Sequence, residues 1–197
     1  MSAWIDMIQD ADASPQLEAA LSQVRTPAGT VDNVMRVHSL RPHTMLGHWT
    51  LYMSVLHNEG NTLSKAFLEV VASYTSMLNN CAYSLSNHWH NAAALLDDGA
   101  RSDAIHAALA ADQPELAFDG KELALLCYTR QLTLHPGDMD EDYVSDARAA
   151  GASDAEILEV NQCCGYFCYA NRTLNGLGVT QQGDLVGYYK PTVAPEK

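Results

Sequence analysis

A carboxylate, a thiol, a hydroxyl and an imidazole occur in one short stretch of this chain, at Glu69, Cys81, Ser84 and His88. A thiolate at the start of a helix is a nucleophile toward the O–O bond of a peroxide. A nearby imidazole that is backed by a carboxylate can relay the proton that must move in such a reaction. The four side chains therefore indicate chemistry of the thiol peroxidase type.

The spacing of these residues decides which of them can meet. On a helix each residue advances about 100°, so Cys81, Ser84 and His88 are expected within about 60° of one face. Ser84 and His88 are i, i+4 neighbours and can contact each other directly, whereas Cys81 and His88 are separated by roughly 10 Å along the helix axis. We therefore expect the imidazole to serve position 84 better than position 81.

Ser84 stands where a dithiol site would have its second cysteine, three residues after Cys81. If the residue nearest the imidazole attacks the peroxide, this chain has lost that nucleophile. If Cys81 attacks, its sulfenic acid must be reduced by an external thiol or by another cysteine of the fold. The Ser84 hydroxyl could then hydrogen-bond the sulfur of Cys81, because i, i+3 neighbours can touch. Both interpretations stay open at this point.

The motif is Glu69, eleven residues, Cys81-x-x-Ser84, three residues, His88. It resembles the signature of the AhpD-like alkylhydroperoxidases, a peroxidase-related group of the carboxymuconolactone decarboxylase family, from which Ser84 departs. Further similarity lies in the order of helices over about 36–179. The resemblance implies an all-α AhpD-like domain, an orthogonal multi-helix bundle, that assembles as a homo-oligomer. It also implies reduction of hydroperoxides by Cys81 with Glu69 and His88 as proton relay, and a thiol or dithiol partner as reductant.

Strand signals are weak while helix starts and stops recur, so the sequence by itself also predicts an all-α fold. Its length fits one domain, 1–197, in which an N-terminal helix and a C-terminal arm after Thr180 flank the family-like core. Helices are expected over about 15–25, 32–39, 42–56, 64–78, 80–98, 102–110 and 121–134, with two more to follow. Asp138 with Glu141, and Ser153 with Glu156, match reciprocal caps for these last two helices. Leu185, Tyr188 and Tyr189 are expected to let the arm pack on a neighbour.

The composition of the chain limits the classes of partner that it is expected to bind. The formal net charge of −13 opposes association with nucleic acid or anionic lipid, so neither is expected as a partner. The N-terminus lacks the features of a secretory signal, which predicts a cytoplasmic protein. Five cysteines without regular spacing are expected to be free thiols. Cys163, Cys164 and Cys168 are poorly spaced for a metal, and the sequence predicts neither a metal nor a cofactor.

Two other functions remain open. Glu69 and His88 could perform acid–base chemistry on a small acidic or lactone substrate, as in the decarboxylase side of the family, with Cys81 incidental. Such a site needs a basic group for a carboxylate, and the candidates are Arg36, Arg41 and Arg172. The third interpretation is a non-enzymatic oligomeric scaffold or thiol redox sensor. A Ser84-His88-Glu69 hydrolase is disfavoured, because the sequence indicates no strained elbow and no oxyanion hole. Tyr83 and Trp89 flank the motif and are expected to wall a pocket.

Overall fold

The computed structural model describes residues 2–189. Nine α-helices form within these residues, and they confirm the predicted all-α fold. They are α1 (Pro15–Val24), α2 (Asn33–Arg36), α3 (Pro42–Leu56), α4 (Lys65–Leu78), α5 (Ala82–Leu96), α6 (Gly99–Ala110), α7 (Gly120–Leu134), α8 (Glu141–Ala149) and α9 (Asp154–Gly176). None of the helices in this part of the chain is long and apolar enough to cross a membrane.

Helix α4 lies at the centre of the fold, against α5, α7, α9, α3 and α6. It is buried over most of its length, from Phe67 to Ser76, so its side chains meet a neighbouring helix on every face. The main core surrounds it and includes Leu68, Tyr74 and Phe167. A second apolar cluster joins α1 and α3. Glu69 therefore emerges from the most enclosed element of the molecule.

Local capping explains several of the helix starts. Ser14 and Ser64 each accept a hydrogen bond from the third residue that follows, and they start α1 and α4. The predicted reciprocal cap of Ser153 and Glu156 is confirmed at the start of α9. The predicted cap at Asp138 is wrong. Pro136–Asp138 forms a separate 3₁₀ turn, and Asp140 caps α8 by accepting a hydrogen bond from the Asp142 amide.

The turn between α4 and α5 sets the position of Cys81. Asn80 has φ of 51°, a left-handed conformation that asparagine tolerates better than most residues. Cys81 follows as the N-cap of α5 with φ −102° and ψ 90°, so it lies just outside the helix. The predicted common face therefore holds for Ser84 and His88, while Cys81 departs from it because its backbone is extended.

The C-terminal arm packs on its own chain within the described residues. The amide of Gly187 donates to Asn87, and the amide of Tyr188 donates to the Asn91 side chain. Leu185 is exposed, and 190–197 of the predicted arm lie outside the described residues. The described part of the arm thus lies across α5, the helix that carries His88.

Candidate active site

Glu69 and His88 form a hydrogen-bonded pair between α4 and α5. The Nδ1 atom of His88 lies 2.7 Å from Oε2 of Glu69. The second carboxylate oxygen accepts a 3.3 Å hydrogen bond from the Asn91 side chain. Glu69 is only 1% exposed, so both of its oxygens rely on these partners. If Nδ1 carries the proton that Glu69 accepts, the neutral imidazole keeps a lone pair on Nε2, as a general base requires.

His88 opens onto a cavity of about 280 Å³. Its lining is mostly apolar and rich in aromatic side chains, which suits a flat and largely apolar ligand. The aromatic lining comprises Trp49, Tyr52, Tyr83, Tyr166, Phe167 and Tyr188. Ser84 also lines the cavity, whereas Cys81 and Trp89 are outside its lining. The sequence thus placed Tyr83 correctly at the pocket, while Trp89 packs against His106 instead.

Ser84 is buried in a network of hydroxyl and amide groups. Its Oγ lies 2.9 Å from Oγ of Ser76, which in turn is 3.3 Å from the Asn171 side-chain nitrogen. These contacts fix the Ser84 side chain by groups from α4 and α9. The serine therefore has a structural role at the cavity wall in addition to whatever contact it makes with a ligand.

Cys81 lies in a different environment from His88. It is 1% exposed and belongs to a small apolar cluster with Val37, Leu174 and Val179. Burial raises the pKa of the Cys81 thiol, although hydrogen bonds from the backbone amides of Ser84 and Tyr83 act in the opposite direction. The favourable effect of the helix N-terminus is therefore outweighed by desolvation, and the thiol form prevails.

The other cysteines are dispersed around α7 and α9. The sulfur of Cys164 contacts the Thr133 hydroxyl at 3.1 Å, and Cys168 accepts a long hydrogen bond from Asn79. Hydrogen bonds from Cys164 and Asn79 help to lower the pKa of Cys168, while burial raises that of Cys163. No group of side chains within residues 2–189 has the arrangement of a metal site.

Arginines do not supply the expected anchor for a carboxylate. Arg36, Arg41 and Arg172 all lie outside the cavity lining. Arg25 does line it, but its guanidinium is 2.9 Å from Asp10 and also donates to the Gly29 carbonyl. The geometry therefore favours a neutral ligand over an acidic one.

Two residues at the site, Asn91 and His48, were not predicted from the sequence. Asn91, which holds Glu69, is three residues after His88, and this helical spacing was a usable signal. His48 is 2% exposed and hydrogen-bonds Tyr166 of α9 at 2.8 Å. That contact joins residues far apart in the sequence, so no local pattern could have indicated it.

Several solved structures have a fold similar to that of this chain. No protein-family model and no curated protein matches this sequence. An AhpD core structure, an uncharacterized peroxidase-related protein from Ralstonia eutropha JMP134, superposes with a TM-score of 0.75 at 18% identity, covering 92% of this chain and 93% of that one. For a peroxidase-related protein from Silicibacter sp. TM1040 the TM-score is 0.77 at 18% identity, with coverage of 93% and 95%.

A third neighbour has a ligand in its structure. It is a variant of the debrominase Bmp8 in complex with 2,3,4-tribromopyrrole, with a TM-score of 0.72, 16% identity and coverage of 93% and 94%. At these levels of identity the likeness concerns the fold. The chain therefore has the all-helical fold of the AhpD-like group.

Proposed function

We propose that the Glu69–His88 pair performs general acid–base catalysis on a small neutral ring compound, such as a lactone. The observation that carries the proposal is the 2.7 Å hydrogen bond between Glu69 and His88, beside a cavity from whose lining Cys81 is absent. Glu69 holds the imidazole in the tautomer with its proton on Nδ1, and Nε2 then takes a proton from an acidic C–H bond beside a carbonyl. His88 returns that proton to the same or another carbon, so the reaction is proton exchange or isomerisation.

The cavity supports this class of substrate. Its aromatic walls fit a flat ring, and its lining arginine is already paired. A protein of the same fold holds the neutral ring 2,3,4-tribromopyrrole. Buried Glu69 stabilises the imidazolium that forms when His88 accepts a proton, and Asn91 keeps the carboxylate in place.

The acid–base proposal is tested by deuterium incorporation into α-angelica lactone in D₂O, followed by NMR. His88→Gln should lower the enzyme-dependent rate by about 10²–10⁴-fold, the usual contribution of a general base. Cys81→Ala should keep the wild-type rate. His90→Gln is the matched control, because His90 is on the same helix and is exposed. Loss of exchange in Cys81→Ala, or a wild-type rate equal to buffer, would contradict the proposal.

The second candidate is one-Cys peroxidase chemistry at Cys81. It is supported by the amides of Tyr83 and Ser84, whose hydrogen bonds favour the thiolate, and by the peroxidase-related neighbours. The thiolate would cleave the O–O bond to give a sulfenic acid and an alcohol, and an external thiol would reduce that acid with release of water. Because Cys81 is buried, the start of α5 would have to open first.

Intact mass after stoichiometric cumene hydroperoxide, with a sulfenic-acid trap, separates the two candidates. A trapped adduct at Cys81 with sustained peroxide consumption in the presence of a dithiol would select the peroxidase. An adduct without turnover would instead point to a thiol redox sensor. We expect Cys81 to remain unmodified, since its sulfur is enclosed by apolar side chains.

A further inference from the structure

A chain of hydrogen bonds runs from the cavity toward the surface of α3. Tyr166 Oη lies 2.8 Å from Nε2 of His48. Nδ1 of His48 lies 2.9 Å from Nε2 of His38, whose Nδ1 is 2.9 Å from the Thr44 hydroxyl. Thr44 lies 2.9 Å from the Arg41 carbonyl oxygen and ends the chain there. Four consecutive hydrogen bonds thus connect a residue of the cavity wall to a backbone acceptor.

The direction of every bond in this chain follows from its last member. A carbonyl oxygen can only accept, so the single hydroxyl proton of Thr44 is donated to Arg41. The Thr44 oxygen must then accept from Nδ1 of His38. A neutral imidazole has one donor and one acceptor, so Nε2 of His38 accepts from Nδ1 of His48. By the same rule Nε2 of His48 accepts, and Tyr166 must donate.

Burial supports the neutral state of both imidazoles. Desolvation lowers the pKa of His38, and it lowers the pKa of His48 to about 3. Each ring therefore has one proton near neutral pH. When both rings are neutral, each hydrogen bond of the chain is donated in the direction that leads from Tyr166 to the Arg41 carbonyl, which is away from the cavity.

We infer that Tyr166 offers its oxygen to the cavity as a hydrogen-bond acceptor, so the preferred ligand is a small ring compound with an N–H or O–H donor. The Tyr166 proton is committed to His48, which leaves the lone pairs of a phenolic oxygen for a ligand. Tyr166, on α9, lines the same cavity as His88 of α5. The inference rests on the proposed function for the choice of a ring compound, and it narrows that class from lactones in general to rings that also have an N–H or O–H donor.

The first test needs no ligand. Nitrogen-15 NMR of the imidazoles in the full-length protein reports which ring nitrogen is protonated. We expect the proton on Nδ1 in both His38 and His48. A proton on Nε2 of either ring would reverse the chain and overturn the inference.

The second test compares the binding of phenol and anisole, two rings that differ by one donor, by NMR titration. Wild type should favour phenol, and Tyr166→Phe should reduce the phenol preference by about 2–10-fold, the equivalent of one neutral hydrogen bond. Tyr169→Phe is the matched control, since Tyr169 packs edge-on against the same His48 ring but is 42% exposed. An equal preference in wild type and Tyr166→Phe, or no binding of phenol, would overturn the inference.

These outcomes are independent of turnover. If the acid–base proposal fails, the lactone stays unexchanged while the phenol preference and the tautomers persist. If the Tyr166 inference fails, exchange that depends on His88 can still be observed.

Discussion

Ser84 and His88 share the cavity wall because both belong to the first turns of α5, and their i, i+4 spacing was readable in the sequence. The position of the Cys81 side chain could not be predicted as well from the sequence. Its extended backbone follows the left-handed Asn80, and one residue outside a helix turns the side chain away from the helical stripe. Helical periodicity therefore predicted that positions 84 and 88 share one face, where both line the cavity, and it misplaced position 81.

A thiol at position 84 would line the cavity together with the imidazole of His88, whereas the native Cys81 lies outside that lining. Ser84→Cys in a Cys81→Ala background should give a thiol whose pKa is lowered by His88, by about one unit relative to an ordinary thiol. The pH dependence of iodoacetamide alkylation measures this pKa. Ser86→Cys is the control, because Ser86 is exposed on the same helix. A midpoint at or above that of the control would mean that burial outweighs the imidazole.

Several helix boundaries were predicted from local residues, although α6 begins at Gly99 after its cap Asp98 and not at 102, and α2 ends at Arg36 and not at 39. Ser153 acts as predicted, and Ser64 caps α4 in a similar way, since a hydroxyl followed by free backbone amides needs no distant partner. The predicted start of α8 was wrong because two aspartates, Asp138 and Asp140, lie two positions apart and either could cap a helix. Pro136 favours a 3₁₀ turn that ends at Asp138, which leaves Asp140 as the cap.

The reciprocal cap of α9 should contribute measurably to stability. Ser153 accepts from the Glu156 amide, and the Glu156 carboxylate accepts from the Ser153 amide and from Lys121 of α7 at 2.6 Å. Ser153→Ala should therefore lower the free energy of unfolding by about 1 kcal/mol and Tm by about 2–4 °C. Calorimetry checks this against Ser145→Ala, an exposed site inside α8. Equal Tm values for the two variants would contradict the role of the cap.

At the scale of the whole molecule the cavity depends on contacts that no local pattern contains. Its wall combines Tyr52 of α3, Tyr83 of α5, Phe167 of α9 and Tyr188 of the arm. The sequence predicted the all-α fold and the pairing of Glu69 with His88. It did not predict which aromatic residues converge, because that is set by the crossing of helices around α4. Homo-oligomer formation and the cytoplasmic compartment stay predictions.

Two carboxyl groups, Asp32 and Asp184, form hydrogen bonds between the C-terminal arm and the rest of the protein. Tyr188 donates a hydrogen bond to Asp32, and Tyr83 donates to Asp184. Burial, followed by repulsion from Asp184, raises the pKa of Asp32 from 3.8 to about 6. Burial also raises the pKa of Asp184. The folded protein therefore retains protons in this region that the unfolded chain has already lost.

This linkage makes the fold less stable as the pH rises. Below about pH 4 Asp32 is protonated in both states, and between about pH 4 and 6 only the folded state keeps its proton, so the free energy of unfolding falls across this window. Asp32→Asn cannot ionise, although its amide oxygen can still accept from Tyr188. We expect the change in free energy of unfolding between pH 5 and 7.5 to differ from that of wild type by on the order of 1 kcal/mol.

Urea unfolding at the two pH values measures this difference. Asp103→Asn, an exposed change on α6, serves as the control and should follow wild type. Because other groups titrate in the same range, only the wild-type change that disappears in Asp32→Asn is assigned to Asp32. Identical pH dependence in wild type and Asp32→Asn would show that Asp32 has the same pKa in the folded and the unfolded protein. The expected result instead ties the stability of the fold to the protonation of Asp32, which lines the cavity and accepts a hydrogen bond from Tyr188 of the arm.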